Sequence, residues 1–474
     1  MTTWRPEVRD FGGPRYRAIA DALARDLAEG RLAPGDRLPT HRDLARALGL
    51  TIGTVTRAYG EAERRGLVQG EVGRGTFVRH VSPAPDPFGL RVRETTEPGT
   101  IDLAINLPAP VGAELSQALS RTLRQVADAL EEALPRAEVE PDLAGYQPRG
   151  GARNHRVIGA RWLRRLGVEA EPDSVLVFPG AQQAILIVLA STLRPGDTVL
   201  TEQLTYPGLK AAARLLHLNL HGLPLDEEGI VPAAFERACA DGAARVLYTV
   251  PTLQNPTCVS QSQARRAEIA AIAERHEVLI LEDDVHGPLL ESPMRPLLAS
   301  RPDLGCYLVT LSKTVAPGLR VAFLRAPAAL GETLASNLWA STFSAGPLLA
   351  ELTCRWIEDG TADRLLCARR DEARRRHDLA ADLLRDAVWK GHPSGYHIWL
   401  QLPGSWRAEQ FASEATRLGV SINTPATFAV ERGLEPRAVR VCLGSPPTRD
   451  LLATGLLRLR ALLDREPPGA AEVV

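Results

Sequence analysis

The stretch Leu308–Ala322 reads LVTLSKTVAPGLRVA, and its reading decides the fold of most of the chain. Its centre is Lys313, one of three lysines (Lys210, Lys313, Lys390) among 56 basic residues, so 53 are arginines. A chain that meets nearly every need for positive charge with arginine has kept lysine here. An amine can lose its proton and attack an aldehyde; a guanidinium stays protonated and cannot. Lys313 follows an apolar, strand-like run and precedes a Pro-Gly turn, with Arg320 seven residues on. A strand-end lysine followed by an arginine suits an imine-forming amine beside an anion. The plain alternative is a surface lysine after a strand, so the surrounding motifs must decide.

Working outward, short β-rich runs alternate with longer helical ones from about residue 100. Ser174–Phe178, Thr198–Thr201, Arg245–Val250, Val278–Leu281, Tyr307–Leu311 and Val321–Leu324 read as strands, with helices such as Gln182–Leu193 and Arg265–His276 between several of them. Buried strands alternating with helices predict a large α/β domain with a mostly parallel sheet. Beyond about residue 327, helices followed by strand-like Tyr396–Leu402 and Val439–Leu443 predict a smaller α/β subdomain.

Four features join Lys313 at predicted strand ends, where an α/β sheet faces its ligand. Phe178-Pro179-Gly180-Ala181-Gln182 is a strand, a glycine turn and a helix start, whose free N–H groups suit a phosphate. Glu282-Asp283-Asp284 places acids where one can pair with a protonated ring nitrogen. Asn255, in Thr252-Leu253-Gln254-Asn255-Pro256-Thr257, offers both a donor and an acceptor. Tyr206, in Thr205-Tyr206-Pro207-Gly208, has a ring that can cover a flat cofactor. Each has a bland alternative: a common turn, solvated acids, an Asn-Pro turn, a core tyrosine.

Together, and in this order, they resemble the fold-type I pyridoxal-phosphate enzymes of the class I aminotransferase group, over roughly residues 100–460. The resemblance implies pyridoxal 5′-phosphate joined to Lys313, with Asp283 on the ring nitrogen, Asn255 on the ring's phenolic oxygen and Tyr206 stacked on the ring. It implies phosphate contacts from Gly180, Ala181, Gln182, Thr310, Ser312 and Arg320. Arg440 stands where the family binds a substrate α-carboxylate, which bidentate geometry favours. Tyr146, in Gly145-Tyr146-Gln147-Pro148, resembles the tyrosine that reaches the neighbouring subunit's phosphate. Two departures stand out. Many relatives have Tyr three residues after the Asp, where this chain has His286, whose imidazole can still donate a hydrogen bond but with different reach and pKa. The Asn-Pro motif ends in Thr257-Cys258 rather than Thr-Gly.

The N-terminal part reads differently. Residues 1–80 hold 14 arginines and 10 acids, a net +4 in a chain of net charge −1, a hint of nucleic-acid contact. Tyr16, Ile19, Leu23 and Leu27 share one helical face. Thr40 opens a second helix, with Asp43 completing a capping-box pattern; Gly49 ends it. A third helix starts at Thr51, with Val55, Tyr59 and Ala62 inward, and Leu67–Val78 alternates as a two-stranded wing. This is the layout of a mostly helical winged helix-turn-helix. Thr51, Gly53, Thr54 and Arg57 then face the major groove, and Arg42 and Arg74 suit phosphate or minor-groove contact. The segments Pro14–Ala45, Thr54–Tyr59 and Gly73–Val78 resemble the DNA-binding domain of GntR-type regulators. Ile52 departs from that family, which often has Arg there.

The expected organisation is a winged helix-turn-helix over 12–80, a proline-rich linker over 81–100, and the cofactor-binding domain over 101–465, large over 101–326 and small over 327–465. Six scattered cysteines suggest neither a zinc site nor a disulfide framework, and no metal is expected. Residues 1–10 lack an apolar signal core, which with the DNA-binding reading suggests a cytoplasmic protein. A GntR-type domain ahead of an aminotransferase-like one is similar to the MocR subgroup of bacterial regulators. That resemblance implies a homodimer that binds double-stranded DNA and senses an amino compound, or the cofactor itself. A working aminotransferase with an accessory DNA-binding module is the alternative.

Overall fold

The computed structural model describes residues 4–6, 14–28, 31–32, 36–64, 67–71, 75–78, 99–133, 143–240, 242, 244–404, 406–431, 433 and 435–465. Arg74, linker residues 81–98 and the tail from 466 lie outside them. The chain forms two compact units, residues 1–86 and 87–474.

In the first unit, α1 (Arg15–Ala28), α2 (His41–Leu48) and α3 (Ile52–Arg64) precede an antiparallel hairpin of β1 (Val68–Glu71) and β2 (Gly75–Val78). The Thr40 hydroxyl accepts the Asp43 N–H at 3.2 Å and so caps α2, while Gly49 closes it in the left-handed conformation at φ 65°. Ile19, Leu23, Leu44, Val55, Ala58 and Tyr59 make its core. Two features are not legible in the sequence. The segment before α2 pairs with β2, Leu38 N–H donating to the Thr76 carbonyl and Val78 N–H to Asp36. Trp4 is buried, its indole N–H donating to Asp26 at 2.8 Å.

The second unit is built on a seven-stranded sheet. Its order is Val175–Phe178, Ala322–Arg325, Gly305–Thr310, Leu279–Asp283, Ala244–Thr249, Thr198–Glu202 and Asn219–Leu223. All pairings are parallel except the two made by Ala322–Arg325. The predicted strands are all present, and the seventh, Asn219–Leu223, is an edge strand whose sequence NLHGL carries too few apolar residues to announce itself. Helices cover both faces. Ala181–Thr192, Pro207–Leu215 and Ala328–Thr342 contribute to the core on one side; Arg153–Arg165, Gln263–Arg275 and Pro347–Glu358 contribute on the other.

The smaller part has a three-stranded antiparallel sheet of Trp389–Gly391, His397–Gln401 and Ala438–Cys442. Ile101–Asp102 pairs in parallel with Val420–Ser421, and Ile101 and Leu103 lie in this core. The chain therefore enters through the small part before building the large sheet. Among the described residues no helix is long and apolar enough to cross a membrane.

The sheet's centre tolerates no side chain at Gly305. A Cβ there would sit 1.9 Å from the Ile280 carbonyl oxygen, on the neighbouring parallel strand. Gly305→Ala is expected to destabilise the second unit by about 3 kcal/mol, the upper end for an overpacked core. Chemical denaturation followed by tryptophan fluorescence measures this.

Candidate functional site

A cleft of about 460 Å³ opens at the carboxyl end of the parallel strands. Ala181, Gln182, Tyr206, Asn255, Asp283, His286, Thr310, Ser312, Lys313, Arg320 and Arg440 all line it. These residues come from separate strand ends of the large sheet and one strand of the small one.

Lys313 sits three residues beyond the apolar strand end, part-buried, with its Nζ donating to the Asn106 carbonyl at 2.5 Å. Withdrawal from water lowers its pKa to about 8, and the Arg440 guanidinium adds to the effect. Asp283 ends its strand fully buried. Its Oδ2 accepts the Tyr248 hydroxyl at 2.6 Å, while Oδ1 has no partner of hydrogen-bond geometry among the described residues. Burial raises its carboxyl to about 7 against the pull of the Tyr248 bond, with Asp284 assisting the rise.

Asn255 is held by a constructed loop. Gln254 donates from Nε2 to the Leu204 carbonyl and accepts from Thr257 at N and Oγ1. Buried Glu202 accepts from the Thr249 hydroxyl and the Val250 N–H, which fixes the strand end feeding that loop. Arg440 donates from Nη1 to Asn255 Oδ1 at 2.7 Å and from Nη2 to the Ala104 carbonyl, and stacks 4.7 Å over the Phe428 ring. His286 is buried with neither ring nitrogen in hydrogen-bond geometry among the described residues. Burial, then the charges of Lys313 and Arg440, press its pKa down to about 3, with only the Leu253 backbone opposing.

At the other end, Gly180 precedes the helix Ala181–Thr192 with φ 97°, and no side chain caps that helix. A Cβ on Gly180 would sit 2.6 Å from Arg320 Nη2, so only glycine lets the guanidinium lie across the helix start. Arg320 itself holds a left-handed backbone, φ 50°, ψ 44°, a conformation that costs energy in a non-glycine residue. The Thr310 hydroxyl donates to the Val321 carbonyl at 2.7 Å and accepts the Ser312 N–H at 3.2 Å. Its proton is therefore committed, and Thr310 shapes the turn that presents Ser312.

Tyr146 is not in the cleft. It is 81% exposed and packs on Phe343, ring centroids 5.2 Å apart. Cys258 is half-buried with its thiol pKa pushed up by burial, so it is a poor nucleophile. Sequence reasoning missed Tyr248, Asn106 and Asn423, which also line the cleft. Tyr248 reads as an ordinary core aromatic within a strand, and only its contact with Asp283 marks it.

In the first unit Arg42, Thr51, Gly53 and Arg57 are exposed, and Thr54 is half-buried. The Thr51 and Thr54 hydroxyls bond each other at 2.8 Å, which commits one of their two protons, and the Thr51 oxygen accepts the Thr54 N–H as a helix cap. Ile52 is 50% exposed beside them.

Comparison with known proteins joins the two units. Residues 15–78 match the family model "Bacterial regulatory proteins, gntR family", and residues 111–456 match "Aminotransferase class I and II". The HTH-type transcriptional regulator YdeF of Bacillus subtilis (strain 168) is 31% identical over 463 residues, 98% of this chain and 97% of that protein. The chain belongs to the MocR-type family of HTH regulators. It is a DNA-binding transcriptional regulator with an aminotransferase-like domain. The regulator is also similar to the vitamin B6 salvage pathway transcriptional repressor PtsJ of Salmonella typhimurium, 28% identical over 84% of this chain and 88% of that one. Among solved structures, Pyrococcus horikoshii kynurenine aminotransferase shares the fold at TM-score 0.69 and 23% identity, covering 78% of this chain and 91% of that one. LysN, the α-aminoadipate aminotransferase of Thermus thermophilus, aligns at TM-score 0.66 and 25% identity, over 77% and 92% of the two chains. That structure is complexed with N-(5′-phosphopyridoxyl)-L-leucine.

The depressed Lys313 pKa carries a pH dependence. Only the neutral amine attacks an aldehyde, and its fraction grows as pH rises through about 8. Capture of an added aldehyde at Lys313 should therefore quicken as the pH is taken through that value and level off above it, as followed by stopped-flow absorbance with pyridoxal phosphate as the probe.

Proposed function

We propose that this regulator holds pyridoxal 5′-phosphate on Lys313 and adjusts its DNA binding to an amino compound, or to the cofactor itself, in the same cleft. The observation that carries this is convergence: motifs spread along the chain from Gly180 to Arg440 meet in one cleft around a single lysine.

The residues present fit the group. Asp283 Oδ1 is buried without a partner among the described residues, which a protonated ring nitrogen supplies. Gly180 keeps open the approach between Arg320 and an uncapped helix start, which suits a phosphate. Once bound, the cofactor supplies an aldehyde for amine capture and an electron-withdrawing ring. Around it, Ala181, Gln182, Ser312 and Arg320 bind the phosphate while Thr310 and Gly180 shape that end. Asn255 and His286 face the ring oxygen, and Tyr206 covers the ring. Arg440 receives a carboxylate of the effector. Tyr146 points outward on this protomer and serves the neighbouring subunit in a homodimer. Two relatives support vitamin B6 chemistry by name: PtsJ, and the pyridoxine biosynthesis transcriptional regulator PdxR of Corynebacterium glutamicum, 26% identical over 78% of each chain.

In the winged helix, Arg57 and the first turn of α3 enter the major groove of an operator, and Arg42 and Arg74 contact its backbone. A homodimer in the cytoplasm then presents two such helices to paired half-sites.

Two experiments test the two ends. Lys313→Ala should lose the visible absorption band of bound pyridoxal phosphate while keeping the wild-type far-UV spectrum; retention of the band would assign the anchor to another residue. Arg57→Ala should weaken operator binding about tenfold, the worth of one good contact, in a footprint upstream of the regulator's own gene, without altering the band. Absence of protection with and without pyridoxal phosphate would overturn the proposed operator binding there.

A further inference from the structure

One corner of the cleft is polar and is only partly used in the assignment above, which takes one nitrogen of His286. Asn106 and His286 line it. His397 lies behind Asn106, its Nδ1 3.4 Å from Asn106 Nδ2, and its ring is 6.2 Å from that of His286. All three are more than nine-tenths buried, with 7%, 4% and 3% of their surface exposed for Asn106, His286 and His397. Asn106 Oδ1, His397 Nε2 and both ring nitrogens of His286 have no partner of hydrogen-bond geometry among the described residues. Lys313 is adjacent, since its amine donates to the backbone carbonyl of the same Asn106.

Unpaired buried polar atoms are costly, so a ligand that pairs them gains over one that does not. The chemistry of the missing partner follows from counting. A neutral imidazole always keeps one donor and one acceptor. The amide–imidazole pair does the same whichever way it is turned. With the Asn106 amide nitrogen toward Nδ1, a carbonyl acceptor and an Nε2–H donor remain. With the amide reversed, an N–H donor and a bare Nε2 remain. Seen from the cleft, the Asn106 amide and the His286 imidazole each carry a donor and an acceptor, so together they suit a group that both donates and accepts. A carboxylate only accepts, an ammonium only donates, and an alkyl group does neither. Burial and the charges of Lys313 and Arg440 keep His286 neutral, which preserves this balance.

We infer that Asn106 and His286, with His397 behind Asn106 to orient its amide, form a side-chain subsite for the effector, and that the subsite takes a hydroxyl or carboxamide group carried by an amino acid. The subsite rests on the amine-sensing function proposed above, with one His286 nitrogen left to the ring oxygen and the other to the ligand.

The test uses the full-length regulator loaded with pyridoxal phosphate, its visible absorption titrated with matched amino acids. L-Serine is compared with L-2-aminobutyrate, which replaces hydroxyl by methyl, and L-asparagine with L-leucine and L-aspartate. In at least one set the hydroxyl or carboxamide member should half-saturate at a concentration about tenfold lower, the worth of one pairing. Asn106→Leu and, separately, His286→Phe should bring the members of that set to within about threefold, most of that pairing lost. Equal half-saturation in every wild-type set would overturn the subsite while leaving amine sensing intact. So would a preference that survives both substitutions. A band that no amine changes would overturn amine sensing and the subsite with it.

Discussion

The large unit turns on an amine held out of bulk water at the edge of a parallel sheet. Lys313 donates to the Asn106 carbonyl and has a guanidinium nearby that repels its charge. Its opposite number, Asp283, is also pushed toward neutrality by burial. Two groups that are ordinarily charged are thus both uncomfortable in the free protein. A molecule bringing a cationic ring nitrogen to Asp283 and an anion to Arg320 relieves the second of these and satisfies the left-handed, cleft-facing arginine. The amine is meanwhile kept reactive by the same burial that makes it costly. The cleft is understandable as a set of unmet electrostatic demands that one kind of ligand meets together.

Those demands are shared between the two parts of the second unit. Thr205 N–H donates to the Phe428 carbonyl and Val430 N–H to the Gln203 carbonyl, so the segment carrying Tyr206 is bonded to the small part. Lys210, one turn into the following helix, donates to the carbonyls of Thr427 and Ala429 at 3.0 and 2.7 Å. Arg440 reaches back to Asn255. A carboxylate that engages Arg440 must share its guanidinium with Asn255 Oδ1 or displace it. Either outcome changes a contact that spans the two parts. A ligand shifts an equilibrium only through its different affinity for two arrangements, and this shared guanidinium is a place where such a difference arises.

How much of this is legible depends on where each residue stands in the chain. Lys313, Asp283 and Asn255 announce themselves because each is a polar residue just after an apolar strand, and parallel sheets gather those ends at one edge. The caps Thr40 and Gly49 are equally readable, since local geometry alone sets them. Tyr248 is hidden because an aromatic inside a strand has a sufficient reason to be there as core. Asn106 is hidden because nothing local explains it: it lies 207 residues from Lys313 and reaches the cleft only through the small part's pairing with Ile101–Asp102. The Thr51 and Thr54 hydroxyls read as groove-facing, and their bond to each other adds a second role, since a residue type favoured at a helix start is also a cap. Asn219–Leu223 escapes notice because a polar edge strand loses the hydrophobic pattern by which strands are found.

Scarcity of lysine first singles out Lys313, but each of the three lysines has a visible task. Lys210 donates to backbone carbonyls of the small part, and Lys390 forms an ion pair with Glu227 across to the large part. Neither task needs an amine that can lose its proton, and arginine performs similar ones throughout this chain. Arg370 binds the carbonyls of Pro288, Leu289 and Leu290 much as Lys210 binds its own set. Rarity alone therefore does not separate a reactive lysine from a structural one. What separates them is their surroundings: Lys210 meets backbone carbonyls and Lys390 a carboxylate, whereas Lys313, which also donates to a carbonyl, is placed where burial and Arg440 lower its pKa. An amine whose protonation the fold disfavours has its lone pair closer to hand than an ordinary lysine does.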